Sequence, residues 1–429
     1  MKRSVTGLVG LWFLACTTAV SAQGAQSLSL KDAEQQALQN HPQIRATQYT
    51  ALAADEAVRQ ARSAYFPSAT WSVTGAQAQS SSRIAAGGLN NPIILDRFAT
   101  GFSVGQLITD FGRTHDLVQS FDLRADAQRQ EIDSRRADVL LQVDRAYFNV
   151  RRAQAVERVA EETVNARQLV VDQVTALAAS SLKSGLDVSF ARVNLAEAQL
   201  VLVQARNDVQ SAFANLSAAM GLSESNTYDL ADEPLPPEPP PDSSDLIAQA
   251  LRERPDVVSE RIASQAASKF ADAERALWFP SISAVATAGM TPYRQTGLES
   301  RYSAVGLNVS IPVTNGGLLS SRRAEASLRV RAAEQTLRDL ENRVARDVRT
   351  AWLDARTSFL RLDLTEQLLA QASDAADLAQ ARYDLGLGSI VELSQAQLNK
   401  TRAEIEQVTA RYDFQARTAA LKFQTGALK

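Results

Sequence analysis

Apolar residues recur at steps of three and four over two long stretches of the chain. The first runs Val139, Val143, Ala146, Val150, Ala153, Val156, Ala160, Val164, and the second Leu337, Leu340, Val344, Val348, Ala351, Ala355, Phe359, Leu362. That spacing lays one apolar stripe along a helix, and alanine at many stripe positions lets neighbouring helices approach closely. Glycine and proline are absent from Arg113 through Ser184, Leu186 through Met220, Leu318 through Leu385 and Ser389 through Thr425. Four long helices are expected there, the first reaching ~100 Å at 1.5 Å per residue. Elsewhere the period changes to two. In residues 69–79 Trp71 and Val73 alternate with Thr70, Ser72 and Thr74. In residues 98–108 Phe98, Phe102, Val104 and Ile108 oppose Ala99, Gly101, Ser103 and Gly105. In residues 303–313 Val305, Leu307, Val309, Ile311 and Val313 oppose Ala304, Gly306, Asn308 and Ser310, and 281–290 alternate more weakly. Strands of about ten residues with one apolar face suit a half-buried sheet or a membrane barrel. Four of them, paired around Ser80–Arg97 and Thr291–Arg301, favour the barrel.

The pattern is duplicated. Ala37-Leu38-Gln39-Asn40-His41-Pro42 returns as Ala250-Leu251-Arg252-Glu253-Arg254-Pro255, and Tyr65-Phe66-Pro67-Ser68 as Trp278-Phe279-Pro280-Ser281, each 213 residues on. From Val104, which answers Val309, the offset becomes 205. Val143…Tyr147 answers Val348…Trp352, and Asp187-Val188-Ser189…Asn194 answers Glu392-Leu393-Ser394…Asn399. A repeated unit of this size predicts two equivalent halves. The first repeat spans 23–233, with a strand hairpin at 69–109 and helices 113–184 and 186–220. The second spans 245–429, with a hairpin at 281–313 and helices 318–385 and 389–425. Residues 234–244 join them. Pro234-Leu235-Pro236-Pro237-Glu238-Pro239-Pro240-Pro241 holds six of the 13 prolines and reads as an extended spacer.

The first 22 residues read as a secretory signal: Lys2 and Arg3, an apolar stretch Val5 to Ala15, and Val20-Ser21-Ala22 before the cut. Cys16, the only cysteine, lies in Phe13-Leu14-Ala15-Cys16, a loose lipoprotein box; the cleaner site follows Ala22. No other segment is long and apolar enough for a membrane helix, so any spanning part must be β. Net charge is -3, without the basic footprint of a nucleic-acid binder. His41 and His115 stand far apart without ligand spacing, and no phosphate loop or nucleophile constellation is present. No enzyme, cofactor or metal site is expected.

Four strands cannot close a barrel, and an open edge cannot sit in lipid. The chain must therefore oligomerise. Two copies would give eight strands with a filled interior, and three would give twelve with room for a lumen. The main rival is an exported coiled-coil adaptor without a pore, which leaves the matched strands unexplained.

The duplicated order, the Phe-Pro-Ser elements, the corners Asp110-Phe111-Gly112-Arg113 and Asn315-Gly316-Gly317, and the stretch Ala381-Arg382-Tyr383-Asp384-Leu385-Gly386 through Ile390-Val391-Glu392-Leu393-Ser394-Gln395-Ala396-Gln397 resemble the TolC family of outer-membrane channels. The resemblance covers essentially the whole mature chain. It implies a mixed α/β membrane protein, a homotrimer with a twelve-stranded β-barrel in the outer membrane of a Gram-negative bacterium and a coiled-coil periplasmic tunnel. It also implies work as the exit duct of a tripartite efflux pump or type I secretion system, with a periplasmic adaptor (membrane fusion protein) and an inner-membrane transporter. On that resemblance the helix ends close the tunnel at Asp187, Glu392, Gln395 and Tyr383. Gln395 stands where the family often has a second acid, and Gly388 where an arginine partner of Tyr383 is expected. The turns carrying Ser181, Gly185, Leu385, Gly386, Leu387 and Gly388 are the expected adaptor docking points.

Overall fold

A computed structural model of the chain describes residues 27–77, 79, 96–294, 296 and 299–428. The expected signal segment 1–22, with Cys16, and residues 80–95 of the first loop lie outside them. In chain order the elements are β1 Ser27–Leu28, α1 Leu30–Asn40, α2 Pro42–Arg62, β2 Ser68–Ala76, β3 Arg97–Thr109, α3 Arg113–Ala179, α4 Gly185–Ala219, β4 Asp229–Leu230, α5 Ser244–Glu253, α6 Pro255–Ala276, β5 Ser281–Arg294, β6 Arg301–Ser310, α7 Leu318–Asp384 and α8 Ile390–Gln424. Both copies build their hairpin from a 67-residue and a 35-residue helix.

Several boundaries differ from the sequence reading. Helix α3 stops at Ala179 instead of 184, because Ser181 turns left-handed (φ 59) and Leu182 N–H donates back to Leu177 O at 2.9 Å. Helix α4 starts at Gly185, one residue early, because Ser184 is its cap, and α8 starts after the corresponding cap Ser389. Strand β6 ends at Ser310 instead of 313, where Pro312 offers no N–H to continue a ladder. Strands β5 and β6 otherwise run longer at the loop end than expected, to Arg294 and from Arg301.

The four longer strands form one antiparallel sheet in the order β2-β3-β5-β6. Its register fixes which side chains share a face. Trp71 pairs with Phe102, Phe102 with Ala288, Ala286 with Val305, Ala284 with Leu307 and Ile282 with Val309. Trp71, Val73, Phe102, Val104, Val305, Leu307 and Val309 therefore stand on one side, as their parity predicts, and all are exposed. The opposite side carries Thr70, Ser72, Ser103, Thr287, Ala304 and Asn308. On that side the Tyr302 ring lies across Gly289 and Gly101, filling the space a β-carbon would need there. Within the sheet β2 and β6 are the edges.

Away from the sheet, α1, α3, α4 and α8 enclose a core of Val139, Val143, Tyr147, Phe213, Leu216 and Met220, among others. In the second copy α5, α6 and α7 build a smaller counterpart from Ala250, Val257, Val344 and Val348. Residues 231–233, which lead into the Pro-rich segment, are tied to the long helices, and the segment itself is held at Pro240. Tyr147 hydroxyl sits 2.7 Å from Ala231 O, Arg151 pairs with Asp232, Gln415 Nε2 donates to Glu233 O at 2.9 Å and Trp352 Nε1 to Pro240 O at 2.8 Å. Strand β1 pairs in parallel with β4 beside this segment. The crossing is thus pinned to three long helices, α3, α7 and α8.

Asp144 of α3 is buried beside this core, and burial followed by the neighbouring Glu34 raises its carboxyl from 3.8 to about 8, against a smaller opposing pull from Lys422. The folded state holds a proton there that the unfolded chain has released, so stability is expected to fall as pH rises from the ordinary carboxylate range toward 8. Asp144→Asn should flatten that slope in thermal unfolding recorded between about pH 5 and pH 9.

Candidate functional site at the hairpin ends

The breaks in the long helices lie at residues 180–184 and 385–389, and each is closed by the same local chemistry. A left-handed residue, Ser181 (φ 59) or Gly386 (φ 73), lets the following leucine N–H reach back to the helix: Leu182 to Leu177 O at 2.9 Å, and Leu387 to Arg382 O at 2.8 Å. Ser184 and Ser389 then cap the return helices through the backbone N–H of Asp187 and Glu392, at 3.2 and 3.1 Å. Leu182, Leu385 and Leu387 project from these turns, each about 70% exposed or more. Gly185 opens α4 in free space, whereas a β-carbon on Gly388 would press on Arg382 and Tyr383 at 3.3 Å.

The two expected acids are each engaged within their own hairpin. Asp187 Oδ2 accepts from Ser184 N at 3.0 Å, completing a capping box, and Glu392 Oε1 is paired with Arg382 Nε at 3.1 Å. Gln395, one turn further, donates to Asn399 Oδ1 at 3.1 Å and lines a cavity of about 480 Å³ between α3, α4 and α8. Arg167 is buried at the edge of that cavity and bonded to Gln397. Burial lowers the Arg167 pKa, and nearby Glu197 opposes this.

Tyr383 is the residue on which the two hairpins meet. It is buried in a cluster with Val174, Ala379, Ile390 and Leu393, and its phenol oxygen is without a hydrogen-bond partner among the described residues. Burial raises the phenol pKa, and the negative charges of Asp187 and then Asp384 raise it further. The sequence reading found its basic partner missing at Gly388. A cation reaches the ring from elsewhere: Lys183 Nζ, from the other hairpin, stands 3.9 Å from the centroid of the Tyr383 ring. Tyr383, Asp187 and Lys183 are thus brought together, while Glu392 is drawn to Arg382. Sequence reasoning missed Lys183 because its contact lies about 200 residues away, and missed the ties Asn194 Nδ2 to Ser394 Oγ (2.6 Å) and Thr163 Oγ1 to Thr401 Oγ1 (3.4 Å) for the same reason. Among the described residues no group of three or more His, Cys, Asp or Glu could hold a metal ion, and no helix is long and apolar enough to cross a membrane.

A sheet apolar on one face, carried with two helical hairpins of ~100 Å reach, defines the subunit of a membrane channel with a long helical extension. The chain belongs to the outer membrane efflux protein family, which matches residues 33–222 and again 246–427. It is similar to the outer membrane efflux protein BepC of Brucella suis biovar 1, 23% identical over 98% of this chain and 90% of the relative. It is likewise similar to outer membrane protein TolC of Escherichia coli K12, 23% identical over 100% of this chain and 87% of the relative. A crystal structure of a membrane protein from Pseudomonas aeruginosa shares the fold, with a TM-score of 0.80 at 21% identity over 92% of this chain and 93% of that one.

Proposed function

We infer that the chain is the outer-membrane exit duct of a tripartite efflux pump or type I secretion system, a passage and not an enzyme, acting as a homotrimer with a periplasmic adaptor and an inner-membrane transporter. The observation that carries this reading is the four-stranded sheet, apolar on one face, small and polar on the other, and open at β2 and β6. Lipid would cover the apolar face, copies of the chain would cover the edges, and the small polar face would line water. Three copies leave a lumen where two leave none.

The mouth of the duct would narrow at Asp187, Glu392, Gln395 and Tyr383. These residues follow or adjoin the breaks in the long helices, where every hairpin of the assembly ends. Ser181, Gly185, Leu385, Gly386, Leu387 and Gly388 form the surface that an adaptor would meet, supported by the exposure of Leu385 and Leu387. Acids repeated around a constriction raise the local cation concentration, whereas Gln395 adds no charge.

Purified protein in detergent should have the mass of three chains and should conduct in planar bilayers. Conductance should favour cations and weaken in that preference at high salt. Asp187→Asn combined with Glu392→Gln, which keeps side-chain shape, should reduce both the preference and any block by divalent ions. Unchanged selectivity and block in that variant would move the constriction elsewhere along the tunnel, and the absence of conductance would favour a poreless coiled-coil protein.

A further inference from the structure

The cavity of about 480 Å³ lies between the first hairpin, α3 and α4, and the return helix of the second, α8. Its volume is that of a pocket for a small organic molecule. Phe190 and Val201 of α4 and Val391 and Leu398 of α8 give it an apolar rim, and all four are exposed. Arg167 of α3 belongs to the same lining but is only 7% exposed.

Arg167 is short of partners. A guanidinium carries five N–H donors. Among the described residues Arg167 makes one hydrogen bond, to the neutral Gln397, and no ion pair. A buried charge without a charged partner is costly. Burial disfavours the charged form of Arg167, and Glu197, the one acid in the lining, offsets this only in part. Arg402 also lines the cavity, so its wall holds two cations to one anion.

The other polar groups of the wall are already engaged. The Thr163 hydroxyl donates to Val159 O at 2.8 Å, the Ser394 hydroxyl to Ile390 O at 2.7 Å, and Asn194 Nδ2 to Ser394 Oγ at 2.6 Å. An acceptor entering the cavity therefore meets Arg167 as its principal donor.

We propose that this cavity binds a small amphipathic organic anion, with its carboxylate on Arg167 and its apolar body against Phe190, Val201, Val391 and Leu398. The carboxylate answers the surplus positive charge, and its two oxygens match the planar fork of a guanidinium. The apolar body covers a rim that otherwise faces water. A cationic amphiphile would meet two guanidiniums, and a wholly apolar molecule would leave Arg167 without a charged partner. Because the walls come from both hairpins, the bound anion would join them beside the existing ties of Thr163 to Thr401 and Asn194 to Ser394. Binding needs only the folded hairpins, so it stands or falls separately from conduction.

The test uses the full-length protein in phospholipid nanodiscs at neutral pH, with equilibrium dialysis as the measurement and empty nanodiscs as the blank. The probes are naphthoate and naphthamide, which share a ring system and differ in charge. The parent should bind naphthoate about ten- to hundredfold more tightly than naphthamide, the worth of one charged hydrogen-bonded pair. Arg167→Gln should abolish that preference and keep the binding of naphthamide, and Arg167→Lys should retain part of it. A change at a buried residue can loosen the hairpins, so Val201→Glu on the exposed rim supplies an independent variant. It should weaken naphthoate by about threefold or more through charge repulsion and leave naphthamide unchanged. Equal affinities in the parent would assign the cavity to uncharged apolar molecules and overturn the proposal. So would the lack of saturable naphthoate binding, or a preference that survives undiminished in both Arg167→Gln and Val201→Glu.

Discussion

Arginine at Val104 or at Leu307 is expected to cost the assembled channel about 2–4 kcal/mol per site near the middle of the bilayer, while arginine at Ser103 or Asn308 should cost far less. The four positions test one geometric fact. Val104 pairs with Ala286, Ala286 with Val305, and Leu307 follows Val305 by two, so both apolar positions lie on the same side of the sheet. Ser103 and Asn308 are their immediate neighbours in sequence and point the other way. Unfolding in detergent and the survival of the folded band on unheated gels measure the difference. Equal tolerance on both faces would mean that the exposed apolar side does not meet lipid.

Alanine at Gly221 is expected to destabilise the protein by roughly 3 kcal/mol, from two separable causes. Gly221 has φ 76, and a left-handed position costs an L side chain ~1–2 kcal/mol. A β-carbon there would also stand 2.8 Å from His41 Cα, at the junction of α1 and α2, and backbone that must shift adds ~1–3 kcal/mol. Gly386 separates the two, because its φ is 73 but nothing lies within 4 Å of its would-be β-carbon. Gly386→Ala should pay the conformational part alone. Thermal unfolding of the two variants beside the parent is the measurement, and equal losses would show that the close approach at His41 carries no weight.

Both glycines are visible as punctuation in the sequence, and that level of organisation was the most legible. Long intervals without glycine or proline gave the four helices, and period-two parity gave the shared face of Trp71, Phe102, Val104 and Val305, because both depend on local spacing. Strands β1 and β4 are two residues each and have no period to detect. The end of β6 at Ser310 was obscured because Ile311 and Val313 continue the apolar alternation past the backbone break at Pro312. At the hairpin ends the turns were legible and the partnerships were not. Tyr383 was found by resemblance, but its contact with Lys183 joins two hairpins across 200 positions. The Ser184 and Asp187 box could have been read from its four-residue spacing; it changes Asp187 from a free charge into one that also holds a helix end.

The equal helix lengths, 67 and 35 residues in both copies, act as a gauge for the whole assembly. Two hairpins that leave equivalent corners and run equally far must finish level, so a ring built from them ends in a flat rim. Seven residues added to α3 and seven to α4, with no change in the second copy, would drop one hairpin ~10 Å below the other at 1.5 Å per residue. The rim would become a crown of alternating points, and a partner that seats on six level ends would find half of them out of reach. Lengthening such a tunnel therefore requires the same insertion in all four helices at once, and the duplication ties its reach across the periplasm to changes made in matched sets.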